Sequence, residues 1–152
     1  MAEVTKIAET SSQGLEPANQ KLMSQYDQLR SLLASRLTPD HAFMFAEPVL
    51  ISGGESGKDT AWYTRGIGTP KTLSSMPPDH IAYYQQRVET MVREISALAE
   101  QLIASGGASR ELGRLLQDAL VFPASSQIYV IDEKPVIVGW GFRNQIGSSA
   151  ST

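Results

Sequence analysis

A chain of 152 residues can bury a single core but is short for two ordinary domains. Its hydrophobic fraction of 41% and charged fraction of 19% exclude the disordered class. A net charge of −3 with scattered Lys and Arg excludes a concentrated phosphate-binding face, and the lack of cysteine excludes disulfides, thiolate metal sites and a Cys nucleophile.

The first ten residues carry an acid at Glu3 and no continuous apolar run, so they do not read as a signal peptide. No apolar run approaches the roughly 20 residues of a membrane-spanning helix. The expectation is a soluble, cytoplasmic chain without membrane insertion, with export by a signal-peptide-independent route left open. Residues 1–15 are polar and broken by Ser11-Ser12-Gln13-Gly14, and residues 147–152 are small and polar. Both are expected to be flexible tails around a single α+β domain over residues 16–146.

After Glu16-Pro17, Leu22, Tyr26, Leu29 and Leu33 recur at helical spacing, which predicts an amphipathic helix ending before Thr38-Pro39-Asp40. Phe43 to Ile51 is β-prone but interrupted by Pro48, so it reads as an edge strand or two short ones. Ser52 to Asp59 forms a Gly-rich turn, and Thr60 to Thr64 a strand that pairs back as a first hairpin. Gly66 to Pro78, with Gly68, Pro70, Pro77 and Pro78, reads as an irregular loop.

From Asp79, the residues Ile81, Tyr84, Val88, Met91, Ile95, Leu98 and Leu102 alternate spacings of three and four. That is a heptad stripe on a helix of about seven turns, started by Pro78 and stopped by Ser105-Gly106-Gly107. A second helix follows, with Leu112, Leu115, Leu116, Ala119 and Leu120 on one face and Ser109 as its expected N-cap. The short Gly-rich link predicts an antiparallel helical hairpin. After Val121-Phe122-Pro123, Ile128 to Phe142 reads as two apolar strands around a charged turn. The predicted architecture is a small antiparallel sheet from two β-hairpins, packed on the long helical hairpin plus the N-terminal helix.

Chemistry-bearing motifs are sparse. Val49 to Thr60 superficially suggests a phosphate loop, but Ser52 stands where the pattern needs Gly, Asp59 stands where it needs Ser or Thr, and a strand follows where it needs a helix. The two histidines repeat a Pro-Asp-His theme, Pro39-Asp40-His41 and Pro78-Asp79-His80. They make a metal or acid/base site only if folding brings them together; otherwise each Asp simply complements a helix start. Neither a serine-nucleophile elbow nor a histidine-glutamate zinc helix is present, and no cofactor is expected. The aromatic residues Trp62, Tyr63, Tyr83, Tyr84, Trp140 and Phe142 read mainly as core. Trp140 stands out because Gly139 and Gly141 let another backbone approach its indole, as a partner contact or as tight internal packing.

Taken together, Asp59-Thr60-Ala61-Trp62-Tyr63, the heptad helix, Arg110 to Pro123 with its Ala-Leu-Val-Phe-Pro ending, and the Ile128 to Phe142 hairpin ending in Trp-Gly-Phe resemble the N-terminal region of the SrfA-type virulence factors of Gram-negative bacteria. The resemblance runs from about Phe43 to Phe142 and consists of ordered landmarks rather than a catalytic signature. It implies a component of a three-protein system whose other members are the SrfB and SrfC types, and it carries no catalytic residues with it.

The leading expectation is therefore a non-enzymatic adaptor that binds other protein components of an SrfB/SrfC-like system. Trp140, Phe142, Tyr84, Val88 and Met91 are its expected contacts, because the long stripe exceeds what its shorter helical partner covers. One alternative is a homo-oligomer built on the same helix. Another is a small hydrolase using His41 and His80 with Asp40 and Asp79.

Overall fold

The computed structural model describes residues 4–11, 13–51, 59–123 and 126–144. The chain is mixed α+β, with a long helical pair and small antiparallel sheets, as expected. The turn expected over Ser52 to Asp59, apart from Asp59, and the tail expected over 147–152 lie outside the described residues.

The helical pair follows the sequence closely. Helix α3 spans Pro78–Ser105 and α4 spans Gly107–Ala119, separated by Gly106 in the left-handed region at φ 72°. Its Cβ-free backbone makes that reversal cheap. Helix α4 begins two residues before the expected Ser109 cap, at Gly107, and no side chain caps it. Gly113 sets the closeness of the pair: a Cβ there would sit 2.6 Å from the Ala99 carbonyl oxygen and 2.8 Å from Ile103 Cγ1. Val88, Met91, Ile95, Leu98 and Leu102 of the α3 stripe are buried, whereas Ile81 and Tyr84 are half-buried.

The part of the α3 stripe that α4 does not reach is covered in part within the chain. Its first half packs against strand β7 (Lys134–Val138) and the 3-10 turn Leu73–Ser75. That turn follows strand β5, Lys71–Thr72, so the expected Gly66–Pro78 loop carries two short regular pieces.

At the N-terminus the expected tail is corrected. Residues Thr5–Thr10 form strand β1, which pairs antiparallel with β4 (Thr60–Thr64), and Leu15–Pro17 forms β2, which pairs with β8 (Phe142–Asn144). A register shift between Lys6 and Ala8 leaves Ile7 as a bulge in β1. The predicted N-terminal helix is shorter than its apolar spacing implied. Leu22 lies in a turn, in which the Asn19 side chain accepts a hydrogen bond from Lys21 N–H (2.9 Å), and helix α1 covers only Tyr26–Arg36. A further short helix, α2 (Pro39–Phe43), starts at Thr38 with Pro39 in its first turn.

Strand β3 (Glu47–Leu50) pairs with β4, and the order β1-β4-β3 puts it at an edge, as Pro48 requires. Ile51 N–H donates to the Asp59 carbonyl (3.0 Å), so the hydrogen-bonded positions of this ladder are the odd ones of β3. Pro48 therefore falls where its nitrogen faces outward, and the ladder loses no bond.

The second hairpin joins β6 (Gln127–Ile131) to β7. Its two-residue turn, Asp132–Glu133, has both residues at positive φ, 55° and 59°. This is the turn geometry that matches strand twist, although glycine is favoured there and a bulkier residue costs roughly 1 kcal/mol. The two hairpins do not merge into one ladder. They belong to separate three-stranded sheets, joined among the described residues by a single parallel bridge, Phe45 to Ile137, with bonds Ile137 N–H to Met44 O (2.7 Å) and Ala46 N–H to Ile137 O (3.2 Å).

The aromatic residues close the core. Trp140 is 1% exposed and its Nε1–H donates to the Ala46 carbonyl (2.8 Å). Around the indole lie Tyr26 at 6.1 Å, Phe45 edge-on at 5.2 Å and Trp62 edge-on at 5.9 Å. Tyr26 Oη–H donates to the Phe45 carbonyl (2.9 Å) and Trp62 Nε1–H to Thr10 Oγ1 (2.7 Å), so each buried polar handle is satisfied. Burial pushes the Tyr26 phenol up to about 12, with the Glu47 carboxylate acting in the same direction.

Two outcomes follow. Gly113→Ala is expected to lose about 1–3 kcal/mol by urea denaturation, because the added methyl meets backbone as well as side chain. For Tyr26, the unfolded phenol ionises near its ordinary value of about 10 while the folded one resists. The contribution of Tyr26 to stability should then be constant below pH 10 and fall as the pH rises from 10 to 12. Tyr26→Phe is expected to cost about 1 kcal/mol at neutral pH and to flatten that alkaline slope, read from denaturation midpoints at each pH.

Candidate functional site

The structure gives each histidine a separate fate. His41 is buried on α2, where Thr38 Oγ1 lies 2.6 Å from its Nδ1 and Glu94 Oε1 lies 2.7 Å from its Nε2. A neutral imidazole meets both partners when the Thr38 hydroxyl donates to Nδ1 and Nε2–H donates to the carboxylate. Thr38 Oγ1 also accepts from His41 N–H (3.4 Å), so the side chain that caps α2 also orients the ring. His80 is exposed near the start of α3, 14 positions before Glu94. At 1.5 Å per residue this separates it from His41's partner by about 21 Å along the helix. The two Pro-Asp-His sequences therefore build no common site.

The Thr38, His41 and Glu94 series has the order of a nucleophile, a base and an orienting acid. Its geometry is that of a clamp, because the imidazole is buried between α2 and α3 and none of the three residues lines a described pocket. The cavities beneath Tyr26 measure about 10 and 30 Å³, enough for one or two waters. Among the described residues no three of His, Asp and Glu group as metal ligands, and no helix is long and apolar enough to cross a membrane.

The expected partner contacts need correction. Trp140, Phe142, Val88 and Met91 are buried, so they hold the core together and offer no surface to another molecule. Of the two roles open to glycine-flanked Trp140, the structure realises internal packing. Gly139 and Gly141 are at φ 79° and 81°, Gly141 N–H donates to the Val121 carbonyl, and the Gly141 carbonyl accepts from Ala18 N–H, both at 2.8 Å. A Cβ on Gly141 would stand 3.0 Å from Leu22 Cδ1. Tyr84 is the one expected contact that reaches the surface.

Tyr84 lines a groove of about 260 Å³ between the N-terminal half of α3 and the β6–β7 turn, with Asp40, Tyr83, Arg87, Glu133, Lys134 and Pro135 around it and Met91 at its base. Tyr83 is 62% exposed and packs edge-to-face on Tyr84, with the ring centroids 5.0 Å apart. Asp40 bridges two cations, Arg87 at 3.6 Å and Lys134 at 3.5 Å, and Lys134 Nζ also sits 5.3 Å from the centre of the Phe43 ring. Tyr84 has its phenol raised above the ordinary value, by desolvation first and then by the nearby Glu133 carboxylate and Tyr83. Glu94, Arg87 and Glu133 carried no sequence signal as site residues. Their roles depend on which elements meet across α3, and Glu94 lies 53 positions from His41.

No protein-family model, curated protein or solved structure matches this chain.

The clamp makes a stability prediction. His41→Ala is expected to cost about 2–4 kcal/mol, combining a cavity with two stranded partners, and half-exposed Glu94→Ala about 1 kcal/mol. His80→Ala should stay within about 0.5 kcal/mol of the parent. A double-mutant cycle on His41 and Glu94, read by urea denaturation, isolates the pair.

Proposed function

We propose that this chain is a non-enzymatic, protein-binding element of the adaptor kind, acting in the cytoplasm, and that it docks its partner at the Tyr83–Tyr84 groove. The observation that carries the reading is the solvent-facing aromatic pair on a rigid helix beside an arginine. Interfaces are enriched in tyrosine and arginine, and an exposed aromatic at a concave site is a common anchor. The reading also draws on the use of the one buried histidine, since His41 is held between Thr38 and Glu94. The resemblance to the SrfA-type virulence factors supplies the partners to try first, the SrfB- and SrfC-type proteins of such a system.

The test is size-exclusion chromatography with light scattering on the purified chain, alone and mixed with each of those proteins. Co-elution with either one, weakened about tenfold or more by Tyr83→Ala in a chain that still unfolds cooperatively, is the expected result. Co-elution unaffected by Tyr83→Ala would remove the groove from the reading. A self-dimer dissociated by the same substitution would replace the adaptor with a homo-oligomer.

A further inference from the structure

Resting on the adaptor reading, we infer that the Tyr83–Tyr84 groove is a receptor for a cationic side chain, an arginine in particular, presented by the partner protein. Four charged residues line the groove, and they are not equally occupied. Arg87 and Lys134 both face Asp40 at 3.6 and 3.5 Å. Glu133 makes no ion pair among the described residues, although it stands close to Tyr84 across the groove. The uncommitted charge is thus a carboxylate, and it lies beside two tyrosine rings set nearly perpendicular, at 82°.

A ring face attracts a cation through its quadrupole, and a planar guanidinium can stack on one ring while its N–H groups reach a carboxylate. Ammonium satisfies the charge without the stacking, which places arginine ahead of lysine. The chain's net charge of −3 favours approach of a basic partner over an acidic one.

A second observation comes from the backbone. Glu133 occupies the second position of a two-residue hairpin turn at φ 59°, where glycine is the strongly preferred residue. The turn carries this carboxylate at a conformational cost that glycine would remove.

The test uses the intact, isotope-labelled chain and three capped tripeptides, acetyl-Gly-Arg-Gly-amide, its citrulline counterpart and acetyl-Gly-Glu-Gly-amide, followed by amide chemical shifts. Saturable shifts at Tyr83, Tyr84 and Glu133 are expected with the arginine peptide, in the millimolar range and weakening as salt is added. They should be at least about fivefold weaker with citrulline or in Glu133→Gln. Glu133→Gly is expected to raise the melting temperature by roughly 2–4 °C while losing the binding, which separates a functional carboxylate from a merely tolerated one. Three outcomes would overturn the inference: no saturable shift in the groove, tighter binding of the glutamate peptide, or binding by Glu133→Gln equal to the parent. No partner protein enters the titration. Its failure therefore strikes the arginine assignment alone, and the adaptor reading stands or falls on co-elution.

Discussion

The indole of Trp140 is the contact on which the rest of the structure depends. Its single N–H reaches the Ala46 carbonyl at the point where one sheet hands over to the other, and its ring fills the space between Tyr26, Phe45 and Trp62. Among the described residues the two three-stranded sheets share only one bridge, at Phe45 and Ile137, so their relative placement does not come from a continuous ladder. It comes from side chains packed across the seam. An aromatic with one donor suits this position, because burying an unpaired N–H would cost a large part of what the ring's burial contributes. The glycines on either side follow from the same constraint. The chain turns at positive φ on both sides of the indole, and Leu22 lies too close to Gly141 for a side chain there to fit without adjustment.

How much of this was legible depends on whether the determining contact is local. The α3 stripe could be read from Ile81 to Leu102 because a helix repeats its own environment every turn, and the φ-reversing Gly106 marks its end. The β6–β7 hairpin was legible for the same reason, since both strands and their turn lie within twelve residues. Strand β1 was not. The bulge at Ile7 breaks the alternation along Thr5–Thr10, and its partner strand lies fifty or more positions away. Leu22 kept helical spacing with Tyr26 without being helical, because it enters the core from a turn.

The candidate site shows the same division. Tyr84 was found from the stripe, but the stripe could not say which of its members lie beneath a covering element. Met91 and Val88 are buried, whereas Tyr84 stays half-buried at the groove. His41 was visible as a chemical group, whereas its use was not, because Glu94 meets it only after α2 folds onto α3. The outcome is an economy of polar side chains. Asp40 and His41 are adjacent on a five-residue helix too short to be stable alone, and each is tied to α3, to Arg87 and Glu94 respectively. What the sequence offers as catalytic material holds a short helix in place.

The pairing of β2 with β8 also bears on how the chain reaches this state. Glu16 and Arg143 meet at 3.0 Å across 127 intervening steps of backbone, and Trp140, only a few residues from that contact, completes a cluster begun at Tyr26. Contacts of such span must pay their loop-closure entropy before they return any stability, which places this topology among slowly forming ones. A chain emerging residue by residue would hold α1, β3 and β4 together only loosely until Trp140 arrived. Until then Tyr26, Phe45 and Trp62 would present an open aromatic surface, the kind of intermediate that a chaperone recognises and that a premature stop upstream of Trp140 would leave permanently exposed.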